Sequence, residues 1–188
     1  QLYPDEIQEM ARKHFSRIKG KPCPFDLKFK KTGGQYDDLI AGWTKYWNDV
    51  LKPEVPLEPN MVKALISTES GYDPKSLANK KDQDSARGLM QITNTSRKIL
   101  GNEKGELKNH YLTLTRDDLN DPCNNICAGI RWLFRKRDIA SSLLKKTATW
   151  EDAIYEFKGG RTVSKERAAK LMSEYNKKLQ ELSKCGKS

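Results

Sequence analysis

The stretch Asn60-Met61-Val62-Lys63-Ala64-Leu65-Ile66-Ser67-Thr68-Glu69-Ser70-Gly71 places a carboxyl where an amphipathic helix should be apolar. Val62, Leu65, Ile66 and Glu69 run i, i+3, i+4, i+7, so Glu69 falls on the face due to be buried. Asn60 is the expected N-cap and Gly71 the expected stop. At the end of that helix a carboxyl loses hydration and meets the negative pole of the helix dipole. Both effects raise its pKa, as a proton donor working near neutrality requires. A helix-end Glu that bends out to water is the plain alternative.

Outward from this segment the pattern stays helical. Upstream, Ile7, Met10, Ala11 and Ile18 mark a first helix after Pro4-Asp5, and a Gly-, Pro- and Lys-rich run from Gly20 to Gly34 reads as irregular or a short hairpin. Leu39, Ile40, Trp43, Trp47, Val50 and Leu51 give a second amphipathic helix. The Pro-rich run 52–59 then breaks the chain, separating an N-terminal helical appendage (1–58) from the remainder (59–188). Downstream of a polar, turn-rich stretch (71–87), Asp121-Pro122 starts a helix buried through Ile126, Ile130, Leu133 and Phe134. Thr149-Trp150-Glu151-Asp152 resembles a capping box opening a short helix that Gly159-Gly160 ends, and Ser164 caps a last helix. The expected fold is mainly α with a single core.

The 188-residue chain is polar, 36% hydrophobic and 32% charged, and it carries a net charge of +10. No run is long and apolar enough to span a membrane. It opens Gln1-Leu2-Tyr3-Pro4 without a starting Met or an apolar leader, which reads as a mature form or a piece of a longer protein. The basic charge fits a solvated surface or a polyanionic partner, and no zinc-finger, RNP or phosphate-loop motif points to nucleic acid. Cys23, Cys123, Cys127 and Cys185 are an even count, which fits two disulfides and an oxidising compartment. Cys123 and Cys127, one helical turn apart, are expected to pair outward with Cys23 and Cys185; four free buried thiols are the alternative. Only two histidines exist, neither at ligand spacing from a Cys pair, and Asp82-Gln83-Asp84 lacks an EF-hand pattern, so no metal is expected. No cofactor is implied, and oligomeric state is not legible.

Four motifs follow in order: Glu69-Ser70, Gly88-Leu89-Met90-Gln91, Asn125-Ile126-Cys127-Ala128-Gly129, and Ala153 to Gly160 with Glu156-Phe157-Lys158. This series resembles the soluble lytic transglycosylase and goose-type lysozyme superfamily, from about Pro59 to Leu179, and so implies a lysozyme-like domain. The resemblance makes Glu69 the general acid acting on the β-1,4 bond between N-acetylmuramic acid and N-acetylglucosamine in peptidoglycan. It makes Ser70, Met90, Gln91, Thr93, Tyr155, Phe157 and Lys158 the substrate-side set. Gly88 would let the chain pass close to the glycan, and Asn125 would brace the backbone. Phe157 and Lys158 depart from the family's Tyr and Asn. The phenol hydroxyl is lost, Tyr155 is not an obvious substitute, and Lys158 only donates hydrogen bonds. A sugar acyl group or the lactyl carboxylate is the contact expected of Lys158.

The superfamily holds two chemistries. A lytic transglycosylase works with one carboxyl and closes a 1,6-anhydro ring, whereas an inverting hydrolase seats a water with a second carboxylate. Goose-type enzymes carry an acid six residues before the motif's Gly, where Asp82 stands, with Asp84 as understudy; their second acid is replaced here by Thr93. A solvated, turn-forming Asp is the alternative at both positions. Hydrolysis is the favoured expectation, with Glu69, Asp82 and Asp84 catalytic, and transglycosylation the alternative. A non-catalytic cell-wall binder and a nucleic-acid binder are the rival classes. The expected location is periplasmic or extracellular, in one piece of a secreted, possibly antibacterial, protein.

Overall fold

A computed structural model describes residues 1–107 and 109–185. Among them the chain forms seven α-helices: α1 Pro4–His14, α2 Asp37–Leu51, α3 Pro59–Ser70, α4 Asn94–Gly101, α5 Pro122–Leu144, α6 Trp150–Phe157 and α7 Lys165–Ser183. A 3₁₀ turn, Asp117–Asn120, leads into α5. No helix is long and apolar enough to cross a membrane.

Helix α5 is the central post. Asp121 caps it by accepting from the Asn124 amide at 3.0 Å, with Pro122 in its first turn. Its inner residues, Ile126, Cys127, Ala128, Ile130 and Leu133, are fully buried, and α1, α2, α4 and α6 all lean on it. Helix α3 lies between α2 and α7. The capping box at Thr149 and the cap at Ser164 both form as expected.

The first 58 residues are helical and share this core. Trp43 and Trp47 are buried against α5, their indole N–H groups donating to Cys123 Sγ (3.4 Å) and the Cys127 carbonyl (3.0 Å). The irregular run after α1 reaches α3: the Cys23 carbonyl accepts from Lys63 Nζ at 2.7 Å, and Lys63 pairs with Asp37 at 3.0 Å. Lys63 is fully buried, so removing one partner would strand the other charge. Burial pushes the Asp37 carboxyl up despite its lysine.

Three expectations need correction. Asn60 is not the N-cap; Pro59 takes the first turn of α3, and Asn60 Oδ1 instead accepts from the Cys23 amide at 2.7 Å. Helix α4 had no apolar stripe to announce it and rests on its Thr93 cap. Two outward disulfides do not form. Cys23 bonds Cys185, while Cys123 and Cys127 are free and face inward from α5. Burial pushes the Cys123 thiol up to about 11, and that of Cys127 also rises, so both are inert packing groups.

The Cys23–Cys185 bond joins residues 162 apart in sequence and ties α7 to the loop before α2. Closing so long a loop restricts the unfolded chain by about 3–5 kcal/mol. Paired Cys23→Ser and Cys185→Ser substitutions should lower unfolding stability by that order in urea melts, with helix content retained by circular dichroism.

Candidate active site

Glu69 occupies the last turn of α3, which Gly71 ends in a left-handed conformation (φ 59°). The residues below it on the same face, Val62, Leu65 and Ile66, are fully buried, and the Glu69 side chain is 19% exposed. Lys158 meets it from the first position beyond α6. Its ammonium, 4% exposed, donates to Thr68 Oγ1 at 2.7 Å and to Glu69 Oε1 at 3.2 Å. Burial raises the Glu69 carboxyl above its ordinary range; Lys158 pulls the other way and does not cancel it.

The second and third motifs are two halves of one clasp. Asn125, fully buried on α5, accepts from the Met90 amide at 2.7 Å. Its NH₂ donates to the carbonyls of Arg87 (3.0 Å) and Leu119 (2.9 Å). Gly88 has φ 78°, and a Cβ there would stand 2.2 Å from Asn125 Nδ2. Gly88 is therefore demanded by Asn125 rather than by a passing glycan. Gly129 does the same for Met90, since a Cβ would come 2.3 Å from its sulfur. Met90 is fully buried, so it packs the core and presents no surface to a groove. Ser70 Oγ donates to the Leu89 carbonyl at 2.7 Å, tying the end of α3 to the clasped loop.

The remaining expected residues divide by place. Gln91, Thr93 and Phe157 line one cavity of about 240 Å³ together with Trp132 and Lys136 of α5. Gln91 holds φ 55° while its Nε2 donates to the Gly88 carbonyl at 3.0 Å. Thr93 uses its hydroxyl to cap α4, accepting from the Ser96 amide at 3.1 Å. Tyr155 lies elsewhere, its hydroxyl donating to the Gly160 carbonyl at 3.0 Å beside Leu143 and Leu144.

Asp82 and Asp84 sit exposed in their loop. Asp82 Oδ1 accepts from the Asp84 amide at 2.9 Å, the turn-forming use of an Asp, and Asp84 pairs with Arg116 at 2.7 Å. Neither bonds Glu69 or Lys158. Thr68, Trp132, Lys136, Glu156 and Arg161 were not singled out from sequence. The only signals for them were adjacency to Glu69 and Phe157, and the one-turn spacing of Trp132 and Lys136.

The model of the transglycosylase SLT domain family matches residues 51–170, which takes in all four motifs. The chain belongs to the transglycosylase SLT domain family. A comparison with curated proteins finds no match. As an SLT domain the chain is a peptidoglycan glycosidase, and peptidoglycan glycan strands are its substrate. The match begins at the end of α2, so α1, most of α2 and the tail of α7 are this chain's own additions to the SLT core.

Two outcomes follow for this SLT domain. Asn125→Ala should strand the Met90 amide and two carbonyls, costing about 3 kcal/mol or more of stability in denaturant titrations. Lys158→Met removes the charge that lowers the Glu69 pKa, so that pKa should rise. If Glu69 must be protonated to act, the high-pH limb of kcat/KM then moves up by roughly one pH unit or more. A limb that stays in place or moves down would deny the pair this role.

Proposed function

We propose that the chain is a lytic transglycosylase in which Glu69 serves first as acid and then as base. The single observation that carries this reading is the environment of Glu69: a carboxyl raised by burial, with an ammonium and no second carboxylate bonded to it. The family match to a transglycosylase domain supports the same side. The two loop aspartates are engaged with a turn amide and with Arg116, which weakens the case for a water seated by Asp82.

The steps balance without water. Protonated Glu69 gives its proton to the glycosidic oxygen between N-acetylmuramic acid and N-acetylglucosamine. The C1–O bond breaks, releasing the N-acetylglucosamine end as an alcohol and leaving an oxocarbenium-like muramyl unit. The Glu69 carboxylate then takes the proton from the C6 hydroxyl as O6 bonds C1, which closes the 1,6-anhydro ring and restores the acid. Lys158 steadies the carboxylate between the two transfers. Thr68 fixes the ammonium, so the pair keeps one geometry through the cycle.

The substrate puts the site of action in the periplasm or outside the cell. A net charge of +10 favours accumulation on anionic wall polymers. A role within a larger secreted or antibacterial protein is compatible with both.

Mass spectrometry of muropeptides released from purified peptidoglycan tests the reading. Wild type should release products ending in 1,6-anhydro-muramic acid. Glu69→Gln should lose about 10²–10⁴-fold in rate, and Asp82→Asn with Asp84→Asn should leave products and rate near wild type. Products with a free reducing end would instead mark a hydrolase and return Asp82 to the mechanism. A wild type that binds sacculi and releases nothing would mark a non-catalytic wall binder.

A further inference from the structure

The cavity between α5 and α6 contains a charge that the reaction does not use. Phe157, the residue before Lys158, forms part of its wall, as do Gln91, Trp132, Lys136, Glu156 and Arg161. Glu156 and Arg161 satisfy one another: both carboxylate oxygens of the buried Glu156 accept from Arg161 Nε, at 2.8 and 2.9 Å. One residue along α5, Arg135 is paired with Glu106. Lys136 is what remains. Its ammonium stands 5.1 Å from the centre of the Trp132 ring, and among the described residues it has neither a hydrogen bond nor an ion pair. Burial, the largest influence on it, presses this lysine toward its neutral form. An anion seated beside it would relieve that pressure. After the pairs cancel, the cavity carries a single positive charge.

Lys158 cannot supply that charge, because it is committed to Thr68 and Glu69. We propose that this cavity is a subsite for an acidic muramyl unit, with Lys136 binding one carboxylate of that unit. The proposal rests on the peptidoglycan reading of the site. The chemistry suits the ligand: Trp132 and Phe157 offer apolar faces to a sugar ring and Gln91 offers an amide, while the hydroxyl and acetamido groups of a glycan are neutral. What distinguishes a muramyl unit from plain N-acetylglucosamine is its lactyl group. That group ends in a carboxylate when bare and leads to further carboxylates when it bears a peptide. The subsite therefore separates peptidoglycan from chitin-like glycan by one charge-assisted hydrogen bond.

Binding to the full-length Glu69→Gln protein is measured by calorimetry with three tetrasaccharides: alternating N-acetylglucosamine and muramic acid with bare lactyl carboxylates, the same glycan bearing acidic dipeptide stems, and neutral chitotetraose. At least one acidic glycan should bind about tenfold more tightly than chitotetraose, the size of one such bond. Preference for the bare form identifies the lactyl carboxylate as the anion, and preference for the stem-bearing form identifies the peptide. Adding Lys136→Met should bring the acidic glycans down to the affinity of the neutral one, and Lys136→Arg should keep the preference. Equal binding of all three glycans to Glu69→Gln overturns the proposal without any change at residue 136. So does a Lys136→Met protein that keeps the preference, or one that weakens all three alike. Digestion of sacculi by the wild type is followed in parallel. If digestion fails, the glycosidase reading fails by itself, and the subsite still stands or falls on the binding comparison.

Discussion

The buried carboxamide of Asn125 is the fixed point to which the active site is referred. It sits in the second turn of α5 and spends its three hydrogen bonds on backbone groups, one on each side of Gly88 and one before α5. A buried amide with every partner in place resists displacement, since any shift leaves polar groups unpaired in a low-dielectric interior. The loop it holds is bonded in turn to Ser70, the neighbour of Glu69. The acid is thus held on two sides, by its own helix and by a loop bolted to α5. The precision of the site comes from this chain of short contacts rather than from any one catalytic group.

On its far side α3 is held by parts of the chain that lie before the family match. The buried Lys63 ammonium is shared between Asp37 at the start of α2 and the carbonyl of Cys23. Tyr72, just beyond Gly71, packs edge-on against Phe29 and donates to the Lys63 carbonyl. Lys178 of α7 lies over Phe29 and donates to the Leu27 carbonyl. The N-terminal segment thus works as a mount for the helix that carries Glu69. It offers no motif of its own because its work is done by packing and backbone contacts.

Much of the scaffold was legible because helices announce themselves. The Asp121-Pro122 start, the Thr149 capping box and the Ser164 cap are local chemistry, and each forms as its residues require. The anomaly at Glu69 was legible too, since a carboxyl in an apolar stripe violates a pattern. What escaped is what depends on distance. No periodicity reveals that Asn125 needs Gly88 and Gly129 needs Met90, so Gly88 and Met90 were given to the glycan when they belong to the clasp. Lys158 was read as a sugar contact because its partners, Thr68 and Glu69, lie about ninety residues away in sequence. The disulfide went wrong for the same reason. One-turn spacing places Cys123 and Cys127 on one face of α5 but does not say that this face points inward.

The Cys23–Cys185 bond also bears on how such a unit combines with others. It brings two chain positions to a Cα separation of 5.7 Å, near the beginning and near the end of the folded region. A unit whose entry and exit points adjoin can be spliced into a surface loop of a host protein, since the loop opens only by the width of a tight turn. The same closure keeps a chain nicked at one exposed turn in a single covalent piece. For an enzyme that works among proteases, a cut in the 79–85 loop would then be a wound rather than a loss.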